Sequence, residues 1–128
     1  MSGGSDYWGG YLNKNVVNAK INFDKPYLIK SVMIHQYPDY SSYWTKNVSL
    51  QFANGMAFHA TLTEKIGWNE IRVSPHTISN YLSITLNGEY NTNESDDWVA
   101  ISEIKILGCR TGTIFSQSIL LYSLNFQA

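Results

Sequence analysis

Val48-Ser49-Leu50-Gln51-Phe52-Ala53-Asn54-Gly55-Met56-Ala57-Phe58-His59-Ala60-Thr61-Leu62 alternates apolar and polar residues on both sides of Asn54-Gly55. Successive side chains of an extended chain point to opposite faces. Val48, Leu50 and Phe52 therefore share one face with each other, as do Met56, Phe58, Ala60 and Leu62 across the turn. Asn-Gly suits the positive φ angles of a two-residue type I′ turn. The stretch is predicted to be a β-hairpin with one buried face.

The same period recurs outward from this hairpin. Val17, Ala19, Ile21 and Phe23 alternate, Lys25-Pro26 then predicts a turn, and residues 29–35 form a second strand. The turn is expected because proline fixes φ and pushes its predecessor toward extended geometry. Downstream, residues 67–73, 81–86 and 99–107 read as further strands separated by Gly, Asn, Pro and Ser clusters, and no stretch keeps a 3.6-residue period. Charged residues are 15% and aromatics 14%, with many Tyr, Asn, Ser and Thr, a balance that favours strands and turns over exposed helices. Short strands at this spacing predict an all-β jelly-roll β-sandwich.

At 128 residues the chain fits one domain. Its net charge is -1, and its nine basic residues are scattered along the sequence. A surface that tracks phosphates needs clustered Lys and Arg, so nucleic acid is a poor partner. The single cysteine, Cys109, can form neither an internal disulfide nor a two-thiol zinc site. No apolar run approaches the roughly 20 residues that span a bilayer. Residues 1–5 carry no basic n-region or apolar h-region, so no secretory signal is read in this chain and the compartment stays unassigned.

Several segments together carry a resemblance: Asp6-Tyr7-Trp8, Ala19-Lys20-Ile21-Asn22-Phe23-Asp24-Lys25-Pro26-Tyr27-Leu28-Ile29, Trp68 before a strand, Ser79-Asn80-Tyr81-Leu82-Ser83-Ile84, and Ile101-Ser102-Glu103-Ile104-Lys105-Ile106-Leu107-Gly108-Cys109. In order and spacing they resemble the discoidin family, also called the coagulation factor V and VIII type C domain, and related galactose-binding-like modules. The resemblance covers residues 6–109 and implies a galactose-binding-domain-like sandwich. Such domains bind sugars, phospholipid headgroups, collagen or proteins through loops at one end, without catalysis, and are commonly extracellular, with lectin or cell-adhesion roles. It also implies a cysteine partner and a first strand ahead of Asp6, where only residues 1–5 stand here. The closing strand would then lack its usual neighbour. An open edge invites another strand, supplied either by residues 114–126 or by a second subunit in a homo-oligomer. The expected organisation is a discoidin-like sandwich over 1–110 and a tail, extra strand or linker over 111–128. Sugar-binding members often hold a structural calcium on an early Asp and the Glu of the closing strand, which implies Asp6 and Glu103 here.

Two loops draw attention for binding. The 37–44 segment carries Tyr37, Tyr40, Tyr43 and Trp44, with His35 just before it, and the 90–98 segment ends in Trp98. Aromatic rings stack on the apolar faces of sugars while Tyr hydroxyls and imidazole supply hydrogen bonds. The expected ligand contacts are His35, Tyr37, Tyr40, Tyr43, Trp44, Tyr11 and Trp98. The competing reading is that Tyr37 and Trp44 plug the ends of the sandwich, and Trp8 and Trp68 are expected in the core. Glu94, Asp96 and Asp97 read as a solvated acidic loop. His59 is placed on the outer face of its strand, and Asn47-Val48-Ser49 and Asn93-Glu94-Ser95 fit the N-glycosylation pattern. No nucleophile-elbow motif is present, and an enzyme is not expected. The leading reading is a non-catalytic module for carbohydrate or glycoconjugate. A protein-interaction domain of an assembly and a phospholipid-headgroup binder are the alternatives.

Overall fold

The computed structural model describes residues 8–11, 17–38, 44–88, 90, 98–111 and 119–125, with the backbone alone described at Tyr11, Pro75, His76, Trp98 and Asn125. Seven strands are present among them: β1 Trp8–Tyr11, β2 Val17–Gln36, β3 Asn47–Phe52, β4 Ala57–Thr61, β5 Trp68–Leu86, β6 Trp98–Arg110 and β7 Ile119–Asn125. All named pairings are antiparallel. They run in the order β1-β6-β2-β5-β3-β4, with β7 joined to β6.

The all-β sandwich expected from the alternation is present, built on two unusually long strands. β2 and β5 pair from Val17 opposite Leu86 to His35 opposite Trp68, with an interruption at an internal corner. Their early and late halves belong to different layers. The first layer holds β1, β7, β6, the end of β2 and the start of β5, and the second holds the start of β2, the end of β5, β3 and β4. The ribbon passes between layers where its register slips, between Asn22 and Tyr27 and again between Ile29 and Ser31. Bulges bend strands in this way.

The turn expected at Lys25-Pro26 is therefore corrected: the chain does not reverse there but continues through an unpaired corner inside β2. Proline is tolerated at such a bulge because no ladder bond is required of its nitrogen. Tyr27 braces the corner, its hydroxyl donating to Asp24 Oδ1 at 2.8 Å. That bond first, with burial and the Asp24 charge adding, raises the Tyr27 pKa above the ordinary phenol value, and Arg110 opposes the shift.

The hairpin forms where expected, with Val48 opposite Ala60 and Leu50 opposite Phe58. Its turn differs in detail. The Phe52 amide donates to Met56 O at 3.0 Å and the Gly55 amide to Phe52 O at 3.1 Å, so three residues, not two, lie between the closing pair. Gly55 takes the positive φ, 84°. This is the three-residue hairpin loop in which a left-handed residue follows a tight turn.

Between the layers lie Ile29, Val32, Ile34, Ile104 and Ile106 from one side and Val48, Leu50, Phe52, Leu82, Ile84 and Leu86 from the other, all essentially inaccessible. β7 lies along β6, Leu124 opposite Ile104 and Tyr122 opposite Ile106, and packs Leu121, Tyr122 and Leu124 against this core. Cys109 is a buried free thiol opposite Leu28. At the neighbouring Gly108 the strands come so close that a Cβ would lie 1.9 Å from Leu28 O and 2.9 Å from Leu121 Cδ1.

Replacing Gly108 with Ala should lower unfolding stability by about 2 kcal/mol, since overpacking against backbone forces a shift of the strand; urea denaturation provides the measurement. In Asp24→Asn, ultraviolet titration of the phenols should show Tyr27 ionising at lower pH than in the parent. The sign follows from a raised folded-state pKa: the bond's contribution to stability is present below the unfolded phenol's pKa and is lost as pH rises through the folded one.

Candidate functional site

One end of the sandwich is organised by a buried glutamine. Gln36, the last residue of β2, is fully buried. Its Nε2 donates to Thr45 O at 2.7 Å and to Thr63 O at 3.1 Å, and its Oε1 accepts from the Thr45 amide at 3.1 Å. The Gln36 amide donates to Gly67 O at 3.3 Å. The side chain thus ties the chain entering β3 to the chain leaving β4, and the backbone amide of the same residue adds the approach to β5. A buried amide with both donors and its acceptor engaged fixes its neighbours because any slip strands a polar group away from water.

Next to this clamp, His35 opposes Trp68 on β5 and Glu103 on β6 in the ladder, so the three sit in one row on the outer face of the first layer. The His35 Nδ1 is 2.7 Å from Gln36 O and 3.2 Å from Ser102 Oγ. A carbonyl only accepts, so Nδ1 carries the proton and the neutral ring keeps Nε2 as an acceptor. The imidazole meets the Trp68 ring edge to face, with centroids 5.1 Å apart. Lys105 Nζ stands 4.8 Å from the Trp68 ring centre and 3.8 Å from Glu103 Oε2. Trp68 is 38% exposed, with Ile66 beside it at 53%. A stacking surface, an acceptor nitrogen, an ammonium and a carboxylate are thereby gathered on a rigid sheet.

A second aromatic group occupies the same end. Trp44 is half-buried, and its Nε1 donates to Tyr37 O at 2.9 Å. It bridges to Ala100, and its carbonyl accepts from the Tyr90 amide at 3.5 Å. The Tyr90 hydroxyl makes a short bond to Leu62 O, and Lys46 Nζ lies 5.7 Å from the Tyr90 ring centre.

The sequence-predicted residues divide accordingly. His35 sits at the row just described and Trp44 in the second aromatic group. Tyr37 is buried, only 5% exposed, which fits the reading of an end plug rather than a ligand contact. Trp68 is corrected from core to surface. Its parity could have shown this, because Trp68, Glu70 and Arg72 alternate with Asn69, Ile71 and Val73, of which Ile71 and Val73 are buried. Tyr40, Tyr43 and Asp6 lie outside the described residues, as do the side chains of Tyr11 and Trp98. The expected calcium pair thus has one member outside them, while Glu103 faces the Lys105 ammonium. Among the described residues no group of three or more His, Cys, Asp or Glu is placed to hold a metal ion. Among the described residues no helix is long and apolar enough to cross a membrane.

No family model and no curated protein matches the sequence. Solved structures do match. The family 32 carbohydrate-binding module of C. perfringens NanJ, solved in complex with galactose, superposes with a TM-score of 0.61 at 13% identity over 78% of this chain and 74% of that one. An F5/8 type C domain from Bacteroides fragilis gives a TM-score of 0.64 at 13% identity over 86% and 78%. The family 32 carbohydrate-binding module of Streptococcus pneumoniae EndoD gives 0.58 at 12% identity over 78% and 73%. The fold is the discoidin-type sandwich shared by F5/8 type C domains and family 32 carbohydrate-binding modules.

Gln36→Met keeps the bulk of the side chain but leaves the Thr45 and Thr63 carbonyls and the Thr45 amide without their partner. It should lower unfolding stability by about 3 kcal/mol, given roughly 1–3 kcal/mol for each buried group left unsatisfied and some relaxation. Hydrogen exchange should show the Thr45 amide losing protection before the β3 and β4 ladder does.

Proposed function

We propose that this protein is a non-catalytic carbohydrate-binding module that holds its ligand on the end of the sandwich organised by Gln36. The observation that carries this reading is the His35, Trp68, Glu103 and Lys105 row. A partly exposed indole offers a face for the C–H side of a sugar ring. Beside it, His35 Nε2 accepts a hydroxyl proton, the Lys105 ammonium donates, and the Glu103 carboxylate accepts. Sugar hydroxyls are donors and acceptors at once, so this mixture suits them better than it suits a phosphate, for which Glu103 is repulsive. The two solved carbohydrate-binding modules of the same fold support the class of ligand. The Trp44 and Tyr90 pair would extend contact to further sugar units.

The reading assigns no reaction. His35 Nδ1 is engaged by the Gln36 carbonyl and Ser102, which orients a binding imidazole. Binding therefore comes from stacking on a fixed surface with hydrogen bonds setting the choice of sugar.

A glycan array should show retention of a restricted set of saccharides. Calorimetry with the best of them should then show at least a tenfold loss of affinity in Trp68→Ala and in His35→Ala, with the folded spectrum unchanged. Absence of binding to every saccharide on the array would refute the reading.

A further inference from the structure

The outer face of the second layer carries an open groove of about 410 Å³ lined by Asn47, Val48, His59, Ala60, Thr61 and Asn87. It belongs to a different sheet layer from the His35 and Trp68 row and is formed by β3, β4 and the chain leaving β5. Its floor is a hydrogen-bonded ladder. The Lys46 amide donates to Gly88 O at 2.8 Å and the Asn87 amide to Asn47 O at 2.9 Å, extending the β3 and β5 pairing past the end of the strand. Gly88 leaves the room that Asn47 occupies, since a Cβ there would come within 2.3 Å of Asn47 Nδ2.

The side chains are wired together. Asn87 Nδ2 donates to Ser49 Oγ at 2.8 Å, and Ser49 Oγ lies 2.9 Å from His59 Nδ1. Thr61 Oγ1 donates to Asn47 Oδ1 at 3.4 Å. These bonds leave His59 Nε2 and Asn87 Oδ1 outside the network on an exposed face. The polar field continues across the layer, because Ser49 opposes both His59 and Thr85, and Thr85 opposes Asn18. Asn18 Nδ2 donates to Thr85 Oγ1 at 2.7 Å and to Ser83 Oγ at 2.9 Å.

An exposed edge is ordinarily guarded by charge or proline, yet the outermost strand β4, Ala57-Phe58-His59-Ala60-Thr61, carries neither. Two side-chain amides, one hydroxyl and one imidazole line the groove beside Val48 and Ala60, with no carboxylate, lysine or arginine among the lining residues. Its volume falls within the roughly 300–1,000 Å³ of small-molecule sites. We infer that this groove is a second, independent binding site, for a neutral polyhydroxylated ligand, that is, an uncharged saccharide. Such a ligand matches mixed donors and acceptors without needing a counter-charge. With no Trp or Tyr among the lining residues, recognition rests on hydrogen bonds and on contact with the His59 ring.

The test is amide chemical-shift mapping of the isotope-labelled protein, titrated with neutral glucose-, galactose- and mannose-based mono- to tetrasaccharides. A sialylated trisaccharide serves as the charged control. The expected result is that at least one neutral saccharide shifts the amides of Ser49, His59, Thr61 and Asn87. Those shifts persist in Trp68→Ala, whereas the double variant His59→Ala and Asn87→Ala binds that saccharide at least tenfold more weakly with its spectrum otherwise retained. Shifts confined to the surroundings of His35 and Trp68 would overturn the second site and leave the first standing. Shifts at the groove alone would support it and overturn the first. Equal response of the groove to the sialylated control would overturn its selectivity for neutral ligands, and no shifts with any sugar would overturn both sites.

Discussion

The Gln36 side chain is the constraint on which this end of the sandwich depends. A sandwich closes its core with apolar residues, but its end must bring together chain segments that belong to no common ladder, and their backbone groups need partners once water is excluded. Gln36 supplies these from a fully buried position by bonding to Thr45 and Thr63. Its own carbonyl meets His35 Nδ1, so the residue that closes the interior also sets the imidazole on the surface. Packing and site are therefore coupled through one residue. The neighbouring row of Trp68, His35 and Glu103 inherits its spacing from the strands beneath it, so the proposed ligand would meet a pre-organised surface at a low ordering cost.

The hydrophobic core works on a larger scale. Ile34, Ile104 and Ile106 face Leu50, Leu82 and Ile84 across the layers, and continuity comes from β2 and β5, which belong to both. A bent ribbon shared by two layers transmits the position of one to the other without a flexible connection. β7 adds a further strand beyond β6 and contributes Leu124 and Tyr122 to the same interior.

Much of the fold was legible in the sequence because a half-buried strand leaves a period-2 signature. Val48 to Leu62 showed the hairpin directly, and the alternation elsewhere specified an all-β sandwich. The corner in β2 was not legible, since Lys25-Pro26 is as compatible with a chain reversal as with a bulge. The loop length at Asn54-Gly55 was also hidden, because the same dipeptide serves two-residue and three-residue turns. His35 drew attention in the sequence as a polar aromatic beside an aromatic loop, and the structure sets it in one row with Trp68 and Glu103. Trp68 was misread because a large apolar residue after Gly67 suggests core, although its parity with Glu70 and Arg72 pointed outward. Gln36 shares the inward parity of Ile34 and Val32, yet which groups it would bond could be known only once Thr45 and Thr63 were placed in space.

The central claim is that a sugar ring lies on Trp68 with a hydroxyl directed to His35. Intermolecular nuclear Overhauser effects in the complex with the tightest-binding saccharide test it most directly. The account predicts contacts between the Trp68 indole protons and the C–H protons of one sugar face, together with contacts from the His35 ring. A bound saccharide whose contacts fall on other aromatic residues, with none from Trp68, would contradict it.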